Sequence, residues 1–182
     1  MKHHENGSRG FSLLEVLLVG AALAILAGIS IPMFSVAVAR ARTHGVAESM
    51  GAAIRDARMR AVSTGWNYRV VAFDGGGTVP NAFRIEGMNP ATGGVWPAPS
   101  STTPPAFYGA NQTYDPYVNL TQEFGAAQIR IPGGGGTFAV TFDSSGVWAT
   151  ACVPAGCQVQ VTSGGRAATL SVSVAGAVLI VK

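Results

Sequence analysis

The sequence predicts an α+β fold, in which one long N-terminal helix packs its second half on antiparallel β-sheets. Three observations predict it. Phe11 to Ala39 runs for 29 residues with a single charge, Glu15. Val46, Met50, Ala53, Ile54, Ala57 and Ala61 then recur at helical spacing as one apolar stripe. Beyond Gly65 the pattern changes to period-two alternation broken by Gly, Asp and Ser, the signature of hairpins.

The elements follow in order. Residues 1–10 (MKHHENGSRG) are short and polar. As a helix, the apolar run 11–39 rises about 1.5 Å per residue, more than enough to cross a hydrocarbon core of about 30 Å. A secretory signal peptide has an apolar core of only about 7–15 residues, with a small-residue cleavage site after it. This run is longer, and its one credible processing point precedes it, so it is expected to remain as an anchor. Pro32 removes a helix hydrogen bond, which predicts either a kink with local melting or a proline tolerated within a membrane helix. The helix continues from Met33 to about Ser63, and its stripe is expected to dock on a sheet. Arg40, Arg42, Arg55, Arg58 and Arg60 fall mostly off that stripe, and Gly65 is the C-terminal breaker. Residues 40–65 thus lead into a β-rich domain at 66–182.

Strands are expected over 68–73, 82–86, 137–142, 147–150, 158–162, 168–174 and 177–181. Residues 87–128 hold six of the ten prolines and read as one long loop. Its Trp96, Phe107, Tyr108, Tyr114, Tyr117 and Phe124 either cover the sheet or present a contact surface.

Composition narrows the function. Charged residues make up 12% of the 182, about half the usual quarter, so this is not an ordinary cytosolic enzyme. The 48% apolar content opposes disorder. A formal charge of +3 and a pI near 9.2 suggest nucleic acid as a partner until the charge is placed. Residues 40–60 carry five arginines against Glu48 and Asp56, whereas five cations balance five anions after residue 65. Phosphate binding needs clustered cations, so nucleic acid is not the expected partner. Arg130 and Arg166 are the candidate DNA contacts should the fold bring them together. No histidine lies beyond Gly65, so no catalytic triad is available, and the glycine runs lack the phosphate-cradling Lys and Ser/Thr. No catalytic residue, metal or cofactor is expected.

Glu15 is the anomaly, since a carboxylate in an apolar membrane helix costs roughly 2.5 kcal/mol or more. Either it reaches water or headgroups at the interface, or it has a partner. Gly10-Phe11-Ser12-Leu13-Leu14-Glu15 resembles the processing site of type IV prepilins and pseudopilins. The resemblance implies that a membrane peptidase cuts between Gly10 and Phe11, and that the new N-terminus at Phe11 is N-methylated. Glu15 would then be the fifth mature residue, free to neutralise the N-terminal ammonium of a neighbouring subunit. Pro32 also falls where family members often carry a proline. Thr141-Phe142-Asp143-Ser144-Ser145-Gly146 and Val172-Ser173-Val174-Ala175-Gly176-Ala177-Val178 are similar to the closing segments of the GspH/FimT group.

Together these resemblances imply a type IV pilin-like fold and a minor pseudopilin of type II secretion, H-like, near the tip of the pseudopilus. Such a subunit supports protein export across the outer membrane. Its partners would be other major and minor pilins or pseudopilins, the prepilin peptidase, the inner-membrane assembly platform and the lipid bilayer. It would be a single-pass inner-membrane protein with its C-terminal domain in the periplasm, later incorporated into a fibre. In that oxidising compartment Cys152 and Cys157 are expected to form a disulfide rather than remain free thiols, contributing roughly 2 kcal/mol. A metal would need further ligands, and His44 is the only histidine beyond residue 10. Two alternatives stand beside this reading. One is a type IV pilus minor pilin that primes assembly or binds DNA in uptake. The other is an unprocessed single-pass membrane protein with a ligand-binding periplasmic domain.

Overall fold

A computed structural model describes residues 12–74, 81–92, 96, 111–132, 136–148, 157–173 and 176–181, with the side chains of Pro32 and Thr92 outside that description. The chain forms two compact units, Met1–Ala37 and Val38–Lys182. Helix α1, Leu13–Thr64, contributes to both. In the first unit every side chain described from Ser12 to Ala37 is exposed. Helix α1 continues through Pro32.

In the second unit the apolar stripe of α1 does what its spacing predicts. Val46, Met50, Ile54, Ala57 and Ala61 are fully buried, and Ala53 packs beside them. Gly65 ends the helix with φ +70, its N–H donating to the Ala61 carbonyl at 3.1 Å. The chain then forms β1 (Asn67–Phe73), β2 (Ala82–Met88), β3 (Gln112–Tyr114), β4 (Val118–Asn119), β5 (Gln128–Arg130), β6 (Thr137–Phe142), β7 (Gln158–Ser163), β8 (Arg166–Val172) and β9 (Val178–Val181). Helix α2, Leu120–Phe124, follows β4. One sheet has the order β3-β2-β1-β6, with β4 also on β2, and the other has the order β5-β7-β8-β9. Every pairing is antiparallel.

The stripe meets both sheets, not one. Val70, Phe83, Val140 and Phe142 of the first sheet and Val159, Val161, Leu170 and Val172 of the second belong to the same core cluster. Asn81 links the sheets, its Oδ1 accepting from Ile129 N at 3.1 Å and its carbonyl from Leu120 N at 2.9 Å. It does so at φ +53, a conformation asparagine tolerates better than most side chains.

Two expectations are corrected. Residues 87–128 are not a structureless loop, since β3, β4 and α2 lie within them. Asn119 caps α2, its side chain accepting from Thr121 N and Gln122 N. The strand expected over 147–150 is reduced, among the described residues, to one bridge between Trp148 and Phe142.

Trp96, Tyr114 and Tyr117 of this segment cover the sheet face that points away from α1, whereas Phe124 packs against the core and Phe107 and Tyr108 lie outside the described residues. Tyr68, Val70 and Ala72 join the core, so Arg69 faces the other way, directly opposite Glu86. Arg69 Nε donates to Glu86 Oε2 at 2.6 Å, and Arg84 Nε donates to Glu86 Oε1 at 2.6 Å. All three side chains are at most 5% exposed. Trp96 lies over the Arg69 guanidinium at 4.4 Å and Tyr117 over that of Arg84 at 4.4 Å, with Tyr114 at 5.6 Å. Phe73 meets Tyr117 edge-on at 5.9 Å. Hence β2 is buried along its whole length.

Candidate functional site

The first unit presents the feature most in need of a partner. Leu13, Leu14, Leu17, Leu18, Leu23, Ile25, Leu26, Ile29, Ile31 and Phe34 are each at least 60% exposed. Exposed apolar surface on this scale marks a membrane or protein interaction site. The helix is long and apolar enough to cross a membrane.

Glu15 stands in the first turn of this helix. Its N–H donates to Ser12 Oγ at 3.2 Å and to the Ser12 carbonyl at 3.0 Å. Ser12 thus caps the helix, with Glu15 at N3. A carboxylate there also faces the positive end of the helix dipole. The sequence signal for this role is Ser12 three residues before Glu15. Gly10 and Phe11 lie outside the described residues, as does Cys152, so neither the cleavage site nor the cysteine pair is visible there. Cys157 is buried at the entry to β7.

The segments Thr141–Gly146 and Val172–Val178 acquire a shared role around Arg58. Asp143 closes the turn after β6. Its Oδ1 accepts from Ser145 N at 2.9 Å, from Ser145 Oγ at 2.6 Å and from Val147 N at 3.0 Å. Gly146 follows at φ +75, and its carbonyl accepts from Arg58 Nε at 3.0 Å. Gly176, also at φ +75, would place a Cβ 3.3 Å from Arg58 Cδ and 3.1 Å from Phe142 Cε1. Both glycines therefore let the backbone close on the helix, with Arg58 between them. A Cβ at Gly146 would meet Val62 Cγ2 at 2.6 Å. Gly146→Ala is expected to cost about 1–3 kcal/mol from positive φ and overpacking. Adding Val62→Ala should recover only the steric part; a double variant as unstable as the single one would refute the clash.

The hydrogen bond from the Ser145 hydroxyl, aided by the N–H groups of Val147 and Ser145, holds the Asp143 carboxyl below the usual aspartate range against a small opposing effect of desolvation. A carboxyl depressed in the folded state stabilises above its unfolded pKa of about 4, and that stability is lost as pH falls through the folded value. Thermal melts of Asp143→Asn should therefore show lower stability at neutral pH and a flatter decline below about pH 4. An unchanged acid limb would remove Asp143 from the account.

Arg60 joins the helix to the segment after β3, reaching Asp56 at 2.7 Å and Asp115 at 3.0 Å. The salt bridge with Asp56, ahead of that with Asp115, raises the Arg60 pKa despite partial burial. Arg130 and Arg166 do not converge. Arg130 pairs with Gln160 on the outer face of β7, whereas Arg166 pairs with the inward-facing Ser163. They project to opposite faces, about 14 Å apart along the backbone lattice. Arg166 instead lines a cavity with Arg40 and His44. Among the described residues no group of three or more His, Cys, Asp or Glu is placed to hold a metal.

No protein-family model matches this chain, and no curated protein matches it. Two solved structures of the Pseudomonas aeruginosa (strain PAO1) type IV minor pilin FimU are similar to it. One is 16% identical, covers 79% of this chain and 90% of its own, and has a TM-score of 0.45. The other is 18% identical, covers 76% and 92%, and has a TM-score of 0.44.

Proposed function

We propose that this chain is a minor subunit of a pilin-like fibre, and that it works by assembly rather than chemistry. The observation that carries the reading is the uncovered apolar helix from Leu13 to Ala37, capped by Ser12 and Glu15 and preceded by Gly10-Phe11. Such a surface is stable only in lipid or against other apolar helices. The helix holds the subunit in the inner membrane until extraction, then packs in the fibre, with Pro32 easing the transfer. A prepilin peptidase would cut between Gly10 and Phe11, N-methylation would follow at Phe11, and an assembly platform would move the product. Cys157 is read as paired with Cys152.

Within this reading, the type II secretion pseudopilus is our preferred machine, on the strength of Thr141–Gly146 and Val172–Val178. Deleting the gene should then stop protein export and leave surface pili intact. Loss of pili with export preserved assigns the subunit to a type IV pilus instead. Intact-mass measurement of the membrane form should give a chain that starts at Phe11, and a chain that retains Met1 overturns both.

A further inference from the structure

The second unit contains a cavity of about 370 Å³ lined by Arg40, Thr43 and His44 of α1 and by Arg166, Ala167 and Ile180 of the second sheet. Its shape follows from one close approach. The β7–β8 turn is Gly164-Gly165, with φ +53 and +74, and a Cβ on Gly164 would lie 2.8 Å from Ala39 Cβ. That contact sets Arg166, the next residue, beside the helix turn that carries Arg40.

The two guanidiniums differ from those of Arg58, Arg60, Arg69 and Arg84 in this domain. Arg58 and Arg60 make hydrogen bonds, and Arg69 and Arg84 are held by Glu86. Among the described residues neither Arg40 nor Arg166 has a hydrogen bond or an ion pair. Thr43 Oγ1 donates to the Ala39 carbonyl, so the cavity's charged donors are the arginines and, when protonated, His44. No Asp or Glu among the described residues lines the cavity, and Glu48 lies one helix turn on, 3.8 Å from His44 Nδ1. Two guanidiniums and an imidazole thus line a space the size of a small polar ligand. Planar guanidinium forks match the oxygens of phosphate.

We propose that this cavity binds the phosphate of an anionic phospholipid headgroup. Position along the helix favours lipid over a dissolved anion, because Arg40 is the third residue after Ala37, where the uncovered apolar run ends. Along a helix that is about 4.5 Å, within the headgroup region if the run lies in the bilayer. The source of the phosphate therefore rests on the membrane-anchored reading, whereas the anion site itself does not. Arg166 would then bring the second sheet into the headgroup contact.

The test uses the full chain in a non-ionic detergent. Bound phosphatidylglycerol and phosphatidylcholine are counted by native mass spectrometry, and inorganic phosphate and duplex DNA are titrated by calorimetry. Phosphatidylglycerol should bind at least about tenfold more tightly than phosphatidylcholine, and Arg40→Gln or Arg166→Gln should each weaken it by about tenfold. Ala167→Glu, an exposed wall position, should abolish the preference, while Arg55→Gln outside the cavity should leave it unchanged. Circular dichroism checks that each variant is folded. Inorganic phosphate binding with no lipid preference moves the source to the free anion and overturns the headgroup assignment. Equal losses in Arg55→Gln, or DNA binding lost in Arg40→Gln, overturn the site. Carbonate extraction is run separately. A chain that resists extraction but lacks the preference refutes this proposal alone, and an extracted chain refutes the anchor and with it the lipid source of the phosphate, leaving the anion site to the phosphate titration.

Discussion

Replacing Glu86 with glutamine is expected to destabilise the β-rich domain by about 3–5 kcal/mol, because two buried arginines lose their shared counter-charge. Glu86 is completely buried, and its two oxygens accept separately from Arg69 and Arg84. The favourable Coulomb term in this dry site only offsets the desolvation of the three charges, so the intact cluster is weak evidence of net stability. Removing one partner is different. The arginine charges would stay buried under Trp96, Tyr114 and Tyr117 without the carboxylate that both share. Urea unfolding of the full chain in detergent measures the loss, and Arg69→Met with Arg84→Met and Glu86→Leu provides the control. That triple apolar variant should unfold within about 2 kcal/mol of the original, or even later. A cost below about 1 kcal/mol for Glu86→Gln would mean that water reaches the cluster and that the aromatic cover is not tight.

Glu15→Ala is expected to abolish incorporation of the subunit into fibres, with the chain still made and still in the membrane. The reason lies in two roles that the side chain can hold at once. In the isolated subunit it stands at N3 of α1, where the Ser12 cap and the helix N-terminus stabilise a carboxylate. In a fibre it would also meet the ammonium of a neighbour's Phe11, neutralising both charges where neither finds water. Three variants separate these roles. Ser12→Ala removes the cap but leaves the charge, Glu15→Gln removes the charge but keeps a polar side chain, and Glu15→Ala removes the side chain while the residue-15 N–H can still donate to Ser12 Oγ. Incorporation measured by crosslinking to other pilins should fall in both Glu15 variants and survive in Ser12→Ala. If Ser12→Ala fails as completely as Glu15→Ala, capping of the helix accounts for the phenotype and the intersubunit pair does not. Normal assembly of Glu15→Ala would dispose of the pair altogether.

Features carried by local periodicity were legible from the residues alone. Val46, Met50, Ile54, Ala57 and Ala61 fall on one helical face in any environment, and all are buried. Thr137–Phe142 alternates and forms β6 with those bounds. Short elements escaped, because α2 has five residues and β5 has three, too few for a period to register. Asn119 was the available signal for α2, since an asparagine with free backbone donors two and three residues on is a cap. The role of Arg58 was hidden for another reason. It lies off the apolar stripe and is exposed, and only the turn at Gly146 and the approach of Gly176 place groups around it.

The charge pattern marks the boundary between the two kinds of information. By itself the sequence determined that an apolar helix lacks any charge but Glu15, that cations crowd residues 40–60, and that the β-rich part is neutral. Those are properties of order along the chain. What the charges do was decided by tertiary structure. Arg69, Arg84 and Glu86 are spread over two strands with no sequence sign of a cluster, yet they are buried together because Trp96, Tyr114 and Tyr117 lay aromatic rings over them. Arg130 and Arg166 read as a pair, yet strand register turns one outward and the other towards Arg40. Pairing of charges depends on distance in space, and residues far apart in sequence acquire a distance only when the sheets close on the helix.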